Sequence, residues 1–193
     1  MFNDFKGFDK DSNPLKISVP PTLLVSSIGV IPDVRKCISL DVKMAGDLVY
    51  VLGESKNEMG GSEHLDSKGE TGIEVPDEDT EIALKLYRTF HKAVQKELIA
   101  SAISVGIGGL GVALAKMAIG GELGLDLNLA NVKAQGVRRD DYLLFTETQS
   151  RFVVTINPEL KNEFESVFEN MDISLIGKVS DDGMVKINGL DSK

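Results

Sequence analysis

The sequence predicts an α+β fold in which helices pack on a mixed, largely antiparallel sheet. Strand-like and helix-like segments are mixed along the chain without strict alternation. The last two strand-like segments, residues 173–179 and 184–187, flank an Asp-Asp-Gly turn, which predicts an antiparallel hairpin. These two observations favour a mixed sheet over a purely parallel one.

Composition excludes several classes of protein and of site. The chain has 193 residues, 42% of them hydrophobic, which is enough to bury a core. A net charge of −9 disfavours a nucleic-acid partner. A single cysteine excludes an intrachain disulfide and a thiolate-rich metal site, and two histidines exclude a three-histidine zinc site. The first 16 residues are polar and unlike a secretory signal, so the cytoplasm is the expected compartment.

The first half of the chain contains two predicted strands and a long helix. Residues 22–31 are apolar, β-branched and flanked by prolines, and residues 47–52 form a short apolar run. Residues 54–75 are polar and rich in glycine, which is typical of a loop. We expect the following helix to begin at Asp77, with its buried stripe formed by Ile82, Leu86, Phe90, Val94 and Leu98.

Residues 99–121 are the most apolar stretch and have roughly the length of a membrane span. Lys116 and four glycines interrupt this stretch, so we predict a strand over 102–105, a turn over 106–111 and a helix over 112–119. No membrane partner is therefore expected.

The second half contains shorter elements. Strands are predicted over residues 123–129, 142–145 and 151–156, and a helix over 158–170. The helix buries Leu160, Phe164, Val167 and Phe168.

The glycine turn at residues 106–111 has the spacing GxGxxG, follows a strand and opens a helix. The free amides at a helix start attract phosphate, and glycine lets a ligand approach the backbone. The match to a dinucleotide site is weak, because Asp126 comes too early for the expected acid and a second βαβ unit is missing. Anion binding and tight strand–helix packing both remain open.

Two further polar segments are candidates. In residues 145–152, Glu147 could hold a metal or a cationic partner, and Arg151 could pair with a phosphate or carboxylate; a solvated connection is the favoured alternative on spacing alone. In residues 60–63, the Gly-Gly-Ser-Glu segment is either a phosphate-approaching loop or a flexible one. His64 and Cys37 are assigned no chemistry.

Together these segments resemble one family, the phosphoribosylformylglycinamidine synthases of the aminoimidazole ribonucleotide synthetase superfamily. The resemblance runs from Lys16 onward and is carried, in order, by residues 20–22, 28–31, 45–54, 59–63, 108–110, 112–115 and 145–154. Several motifs in the right order are more specific than any one of them.

The resemblance implies that residues 1–45 are the tail of a preceding N-terminal synthetase domain and residues 46–193 a C-terminal α/β domain. It implies an ATP- and glutamine-dependent ligase of purine biosynthesis, with ATP and Mg²⁺ in the full enzyme and no tightly bound cofactor in this chain. The implied partners are the N-terminal domain, a second synthetase half, a glutaminase and a small phosphorylated substrate. The chain alone is expected to be inactive and to associate with itself, as a homodimer, through residues 22–31.

The resemblance also implies the site residues. The substrate phosphate is expected to contact Gly108, Gly109, Leu110, Gly111 and Arg151, with support from Glu147, Gln149, Ser150, Gly60, Gly61, Ser62 and Glu63, and no metal ligand is assigned. The chain departs from the family where a His-Asp pair usually precedes the glycines, since Ile103 and Ser104 stand there. Two alternatives remain open: an independent nucleotide-binding module and a purely structural or interaction domain.

Overall fold

The computed structural model describes residues 4–18 and 24–190, in two units divided after Val34. The first unit contains an antiparallel hairpin of β1 (Asp4–Phe8) and β2 (Pro14–Ser18). Residues 24–31 have no regular secondary structure, so the strand predicted over residues 22–31 is wrong there; its residues 22 and 23 lie outside the described residues.

The second unit is built on a six-stranded sheet. Its strands are β3 (Leu48–Leu52), β5 (Ser101–Ser104), β6 (Gly124–Asn128), β8 (Phe152–Ile156), β9 (Ile173–Ser180) and β10 (Val185–Asn188). Two short strands, β4 (Ser55–Lys56) and β7 (Ala134–Gln135), pair in parallel outside this sheet. The sheet order is β10-β6-β9-β3-β8-β5. Within this six-stranded sheet, as the structure describes it, β10 and β6 are the one parallel pair, which confirms a mixed, largely antiparallel sheet.

Among the described residues, five α-helices accompany the sheet: α1 (Glu63–Asp66), α2 (Thr80–Gln95), α3 (Gly109–Gly121), α4 (Asp140–Phe145) and α5 (Lys161–Val167). Short 3-10 turns lie at Val34–Lys36, Leu129–Asn131 and Pro158–Leu160. Within residues 4–18 and 24–190, no helix is long and apolar enough to cross a membrane. The predicted division of residues 99–121 into strand, turn and helix is confirmed by β5 and α3.

The sheet is buried on both faces. Successive side chains of a strand point to opposite sides, so each strand contributes to both cores. In β3, Val49 and Val51 pack with α3 and α4, whereas Tyr50 and Leu52 pack with α2 and α5. The Tyr50 hydroxyl donates to Glu165 Oε1 at 2.8 Å, and burial together with this carboxylate raises the pKa of Tyr50. The two cores hold the sheet rigidly beneath the loops at its edge.

Three details of the predicted elements are wrong. Helix α2 begins three residues after Asp77, and the Asp79 carboxylate caps it by accepting from the amides of residues 81 and 82. Ile82 is 62% exposed and does not belong to the predicted buried stripe. The other four members of the stripe are buried or pack against the core, and Ala83 and Ala93 complete the buried face of α2. Residues 142–145 belong to helix α4 and not to a strand.

The predicted C-terminal hairpin is also wrong, because β6 lies between β9 and β10. The chain between them crosses the start of β6 at Gly124. A Cβ on Gly124 would lie 2.6 Å from the carbonyl oxygen of Met184 and still closer to the side chains of Ser180 and Asp182. A glycine at this position therefore permits the crossing.

Candidate functional site

Three loops meet at one edge of the sheet. Strands β3 and β5 both run antiparallel to β8, which lies between them. The ends of β3 and β5 and the start of β8 therefore share an edge. The three motifs predicted from the sequence are in these loops, in residues 60–63, 106–111 and 146–151.

Glu147 joins the three motifs. Its Oε1 accepts hydrogen bonds from the backbone amides of Glu63, at 3.0 Å, and Gly108, at 2.9 Å. These amides lie at the starts of α1 and α3, where unpaired N–H groups favour a negative charge. Ser62 caps α1 as well, because its hydroxyl accepts from the amide of Leu65 at 3.3 Å. The carboxylate thus occupies the helix-start position expected for an external anion.

The glycine turn is tightly packed. The Gly109 amide donates to the carbonyl of Gly106 at 2.9 Å, and the Leu110 side chain is fully buried in the core. A Cβ on Gly109 would lie 2.6 Å from the Leu144 carbonyl oxygen and 2.7 Å from that of Thr146. Glycine at this position lets α3 lie against the end of α4, which is the packing role left open above.

Gly111 has a similar environment, with a Cβ placed 3.1 Å from Cε1 of Phe145. The Phe145 ring also stacks on the His64 ring at a centroid distance of 4.9 Å. Gly60 packs closely too, since its Cβ would lie 2.8 Å from the Glu74 carbonyl, whereas Gly61 has open space around it and a φ of 73°. Of these glycines, only Gly61 is in open space.

Arg151 lies inside the loop and not on its surface. Only 1% of it is exposed. Its Nε donates to the Thr148 carbonyl at 3.1 Å, one terminal nitrogen to Ser55 Oγ at 2.7 Å, and the other to the Thr146 carbonyl at 2.7 Å. A phosphate could contact Arg151 only if the loop opened and these bonds broke, so the structure places this residue differently from the expectation.

Burial lowers the pKa of Arg151 to about 10, an effect that the negative charge of Glu58 opposes. Glu58 is 8% exposed, and its Oε1 accepts from the amide of Asp77 at 3.2 Å. Its Oε2 is buried and has no hydrogen-bond partner among the described residues. Sequence reasoning missed Glu58, because one carboxylate in a polar segment carries no pattern.

The loop rests on the segment that follows β3. The Thr146 hydroxyl donates to the carbonyl of Lys56 at 2.8 Å, and the amide of Lys56 donates to the Thr148 hydroxyl at 3.1 Å. Gln149 is exposed and Ser150 is half-buried, and the Ser150 hydroxyl is hydrogen-bonded to that of Tyr87. These two side chains face outward while both threonines are buried.

Two clefts adjoin these loops. One, of about 210 Å³, lies between α2 and the loop and includes Gln149, Ser150, Lys56, Lys85, Ile82 and Met171 in its lining. The other, of about 290 Å³, lies beside the start of α3 and is lined by Ile103, Ser104, Gly106, Ile107, Gly109, Val112, Ala113 and Lys116. The lining of the first cleft also contains four carboxylates, those of Glu54, Glu78, Asp79 and Asp172, so acidic groups outnumber its two lysines.

The residues present do not fit a divalent cation. The cleft beside α3 has a lysine and no carboxylate in its lining, and the carboxylate of Glu147 already accepts from two amides. Across residues 4–18 and 24–190 there is no group of three or more His, Cys, Asp or Glu side chains that could hold a metal ion. Mg²⁺ prefers several oxygen ligands, and the described residues form no such group, even with four carboxylates in the lining of the first cleft.

Comparisons with known proteins agree with the fold and identify a family. The family model described as AIR synthase related protein, C-terminal domain, matches residues 44–189. The chain is 36% identical over 162 residues to phosphoribosylformylglycinamidine synthase subunit PurL of Alkaliphilus metalliredigens, a match that covers 83% of this chain and 21% of that protein. The chain thus spans about a fifth of the length of this curated relative.

Solved structures show the same fold. Thermotoga maritima PurL complexed with FGAR matches with a TM-score of 0.72 at 17% identity, over 82% of this chain and 28% of that one. The structure of PurLQS from the same organism matches with a TM-score of 0.67 at 16% identity, over 82% of this chain and 26% of that one. With the matched family model covering most of its length, the chain belongs to the AIR synthase related proteins, as their C-terminal domain.

Proposed function

We propose that this chain acts as a C-terminal synthetase domain of a phosphoribosylformylglycinamidine synthase, the ATP- and glutamine-dependent ligase of purine biosynthesis. The identity to PurL over most of the chain supports this assignment. The single observation that carries it is the position of Glu147, which joins the three motifs at one edge of the sheet. A set of loops joined in this way provides one wall of a ligand site.

The wall would bind the phosphorylated substrate, formylglycinamide ribonucleotide. Gln149 and Ser150 offer neutral polar groups at the cleft beside α2. Lys56 and Lys85 are the cations of that cleft and would contact the phosphate against the charge of the four carboxylates in the same lining. Glu147 and the glycine turn at residues 106–111 hold the loop in place. In the complete enzyme, ATP would phosphorylate the formyl amide oxygen, and ammonia from a glutaminase would displace the phosphate to give the amidine.

The remaining parts of the site would come from partners. The N-terminal synthetase domain and the second synthetase half would hold ATP and Mg²⁺, and a glutaminase would supply ammonia, in the cytoplasm. The purified chain is therefore expected to form no amidine from substrate, ATP and ammonia. Amidine formation by this chain alone, at a rate above the no-protein control, would overturn that expectation.

The assignment is tested in the complete synthase with Glu147→Gln, which keeps the shape of the side chain and removes its charge. We expect the KM for formylglycinamide ribonucleotide to rise at least fivefold, because charge-assisted bonds to amides are about twice as strong as neutral ones. The KM for ATP should stay within twofold. Glu159→Gln, at an exposed position, serves as the control. Unchanged substrate KM in a folded Glu147→Gln enzyme would contradict the proposed role.

A purely structural domain is a second candidate, because the Gly108 and Gly109 amides are occupied and Gly109 is needed for packing. The double substitution Gln149→Ala and Ser150→Ala distinguishes the two, since neither side chain lies in the core. A raised substrate KM supports the binding role, whereas an unchanged KM supports the structural one. Micromolar binding of NAD or ADP to the chain in calorimetry would instead favour a nucleotide-binding module.

A further inference from the structure

We propose that Arg151 is a positioning residue that sets the direction of two backbone amides in the loop of residues 146–151, and that it does not touch the ligand. The inference rests on the proposed function, in which this loop lines the substrate site. The evidence for the inference is the set of acceptors that Arg151 contacts. Two of its three acceptors are backbone carbonyls of the loop itself.

The direction of the amides follows from peptide geometry. A trans peptide group is planar, and its C=O and N–H point in opposite directions. Because the carbonyls of Thr146 and Thr148 point at the guanidinium, the N–H groups of the next residues, Glu147 and Gln149, point away from it. No acceptor for either of these amides is found in the part of the chain that the structure describes. Two fixed N–H groups that point away from the guanidinium and have no acceptor among the described residues can bind an anionic oxygen.

Arginine suits this position for a geometric reason. Its planar fork donates in several fixed directions at once, whereas a lysine ammonium cannot span acceptors on opposite sides. Here the fork reaches two loop carbonyls and the Ser55 hydroxyl, so it ties the loop to β4. Glu58 provides a buried negative charge nearby, which offsets part of the cost of burying the cation.

Gly53 leaves the space that Arg151 needs. A Cβ on Gly53 would lie 2.7 Å from the Ser150 carbonyl and 3.2 Å from Cγ of Arg151. The residue also has a φ of 88°, which favours glycine. The loop, the arginine and the turn after β3 therefore form one closely fitted unit.

The proposal is tested first on this chain, by ¹⁵N relaxation of the amides of residues 147–149. In Arg151→Lys we expect their order parameters to fall from about 0.85, the value of rigid backbone, to below about 0.6. Ser55→Ala, which keeps the arginine and removes one acceptor, should give a smaller fall. The control is Arg139→Lys, at an arginine whose side chain is 64% exposed and paired with Asp141. Thermal melts confirm that each variant is folded.

The second measurement uses the complete synthase. Arg151→Lys should raise the KM for formylglycinamide ribonucleotide at least tenfold while kcat and the KM for ATP stay within twofold. A raised substrate KM with a rigid loop would show direct contact by Arg151 and overturn the proposal, and so would unchanged order parameters. A wild-type synthase that does not act on this substrate would refute the proposed function instead, and the relaxation result would be unaffected.

Discussion

The substitution Gly109→Ala tests the packing of α3 against α4 more directly than any other change. The residue has a φ of 66°, a conformation that costs about 1–2 kcal/mol for a residue with a Cβ. The added methyl group would lie within 2.7 Å of two backbone carbonyl oxygens, those of Leu144 and Thr146. Backbone cannot rotate away as a side chain can, so we add about 1–3 kcal/mol for overpacking. The expected loss is about 2–5 kcal/mol of unfolding free energy.

Gly183→Ala is the matched control. Gly183 has a φ of 69°, and no atom lies within 4 Å of its Cβ position. Both substitutions carry the cost of the left-handed conformation, and both reduce the entropy of the unfolded chain equally. The difference between them isolates the contact with α4, and we expect it to be about 1–3 kcal/mol.

Urea denaturation followed by far-UV circular dichroism measures this difference. For a chain of this length, 1 kcal/mol corresponds to a Tm shift of about 2–4 °C, so thermal melts give a second reading. If Gly109→Ala lowers the free energy of unfolding by no more than Gly183→Ala does, within about 0.5 kcal/mol, glycine at position 109 is not required for packing. The anion-binding interpretation of the turn would then be favoured.

Three further predictions concern stability and association. Burial raises the pKa of Asp47, so the folded state holds the carboxyl proton more tightly than the unfolded state does. The free energy of unfolding therefore falls as the pH rises above 3.8, the ordinary value for this carboxyl. In urea titrations, Asp47→Asn should stabilise the chain more at pH 7 than at pH 4. Tyr50→Phe removes a hydrogen bond to the Glu165 carboxylate and should lower the free energy of unfolding by about 1–2 kcal/mol. An unchanged free energy of unfolding in calorimetry would contradict a stabilising role for that bond. Ile28 and Val30 are 100% and 92% exposed, so we expect the chain to associate with itself as its concentration rises. Light scattering should show this association, and the double substitution Ile28→Asp and Val30→Asp should reduce it. A monomer at high concentration would refute the predicted association.

The strands of the central sheet were predictable because apolar runs bounded by glycine or proline carry a local signal. Helix α4 was not, because the run Tyr-Leu-Leu-Phe suits either state. Its helical state is fixed by the two aspartates at its start and by tertiary packing of Leu143, which is fully buried. Propensity alone does not decide a segment of six residues.

The position of β10 was not predictable for a different reason. The Asp-Asp-Gly turn does reverse the chain, as expected, but nothing local states that β6 lies between the two strands it connects. The position of β6 between β9 and β10 depends on Gly124, because the turn passes closely over this residue. Gly124 lies more than fifty residues before the turn in the sequence. Local turn chemistry predicts a reversal of direction and leaves the choice of neighbouring strand to the rest of the chain.

The site residues divide in the same way. The three motifs were found from sequence order, and their convergence follows once β8 is known to lie between β3 and β5. The burial of Arg151 was not predictable, since a charged residue at the end of a polar loop is usually exposed. Two of its three acceptors are carbonyls of its own loop, and the third, Ser55, lies 96 residues away in the sequence, where no local pattern points to it.

The departure at Ile103 and Ser104 has a consequence for the chemistry that this domain could support. These residues end β5 and line the cleft beside α3, at the place where the resemblance implies a His-Asp pair. With Lys116 as the charged residue of that lining, the cleft is positive and repels a divalent cation. At the same time, Glu147 already places a negative charge at the start of α3. Metal and anion binding at this helix start are therefore both disfavoured, which supports the proposal that the ligand binds at the loop that Arg151 holds.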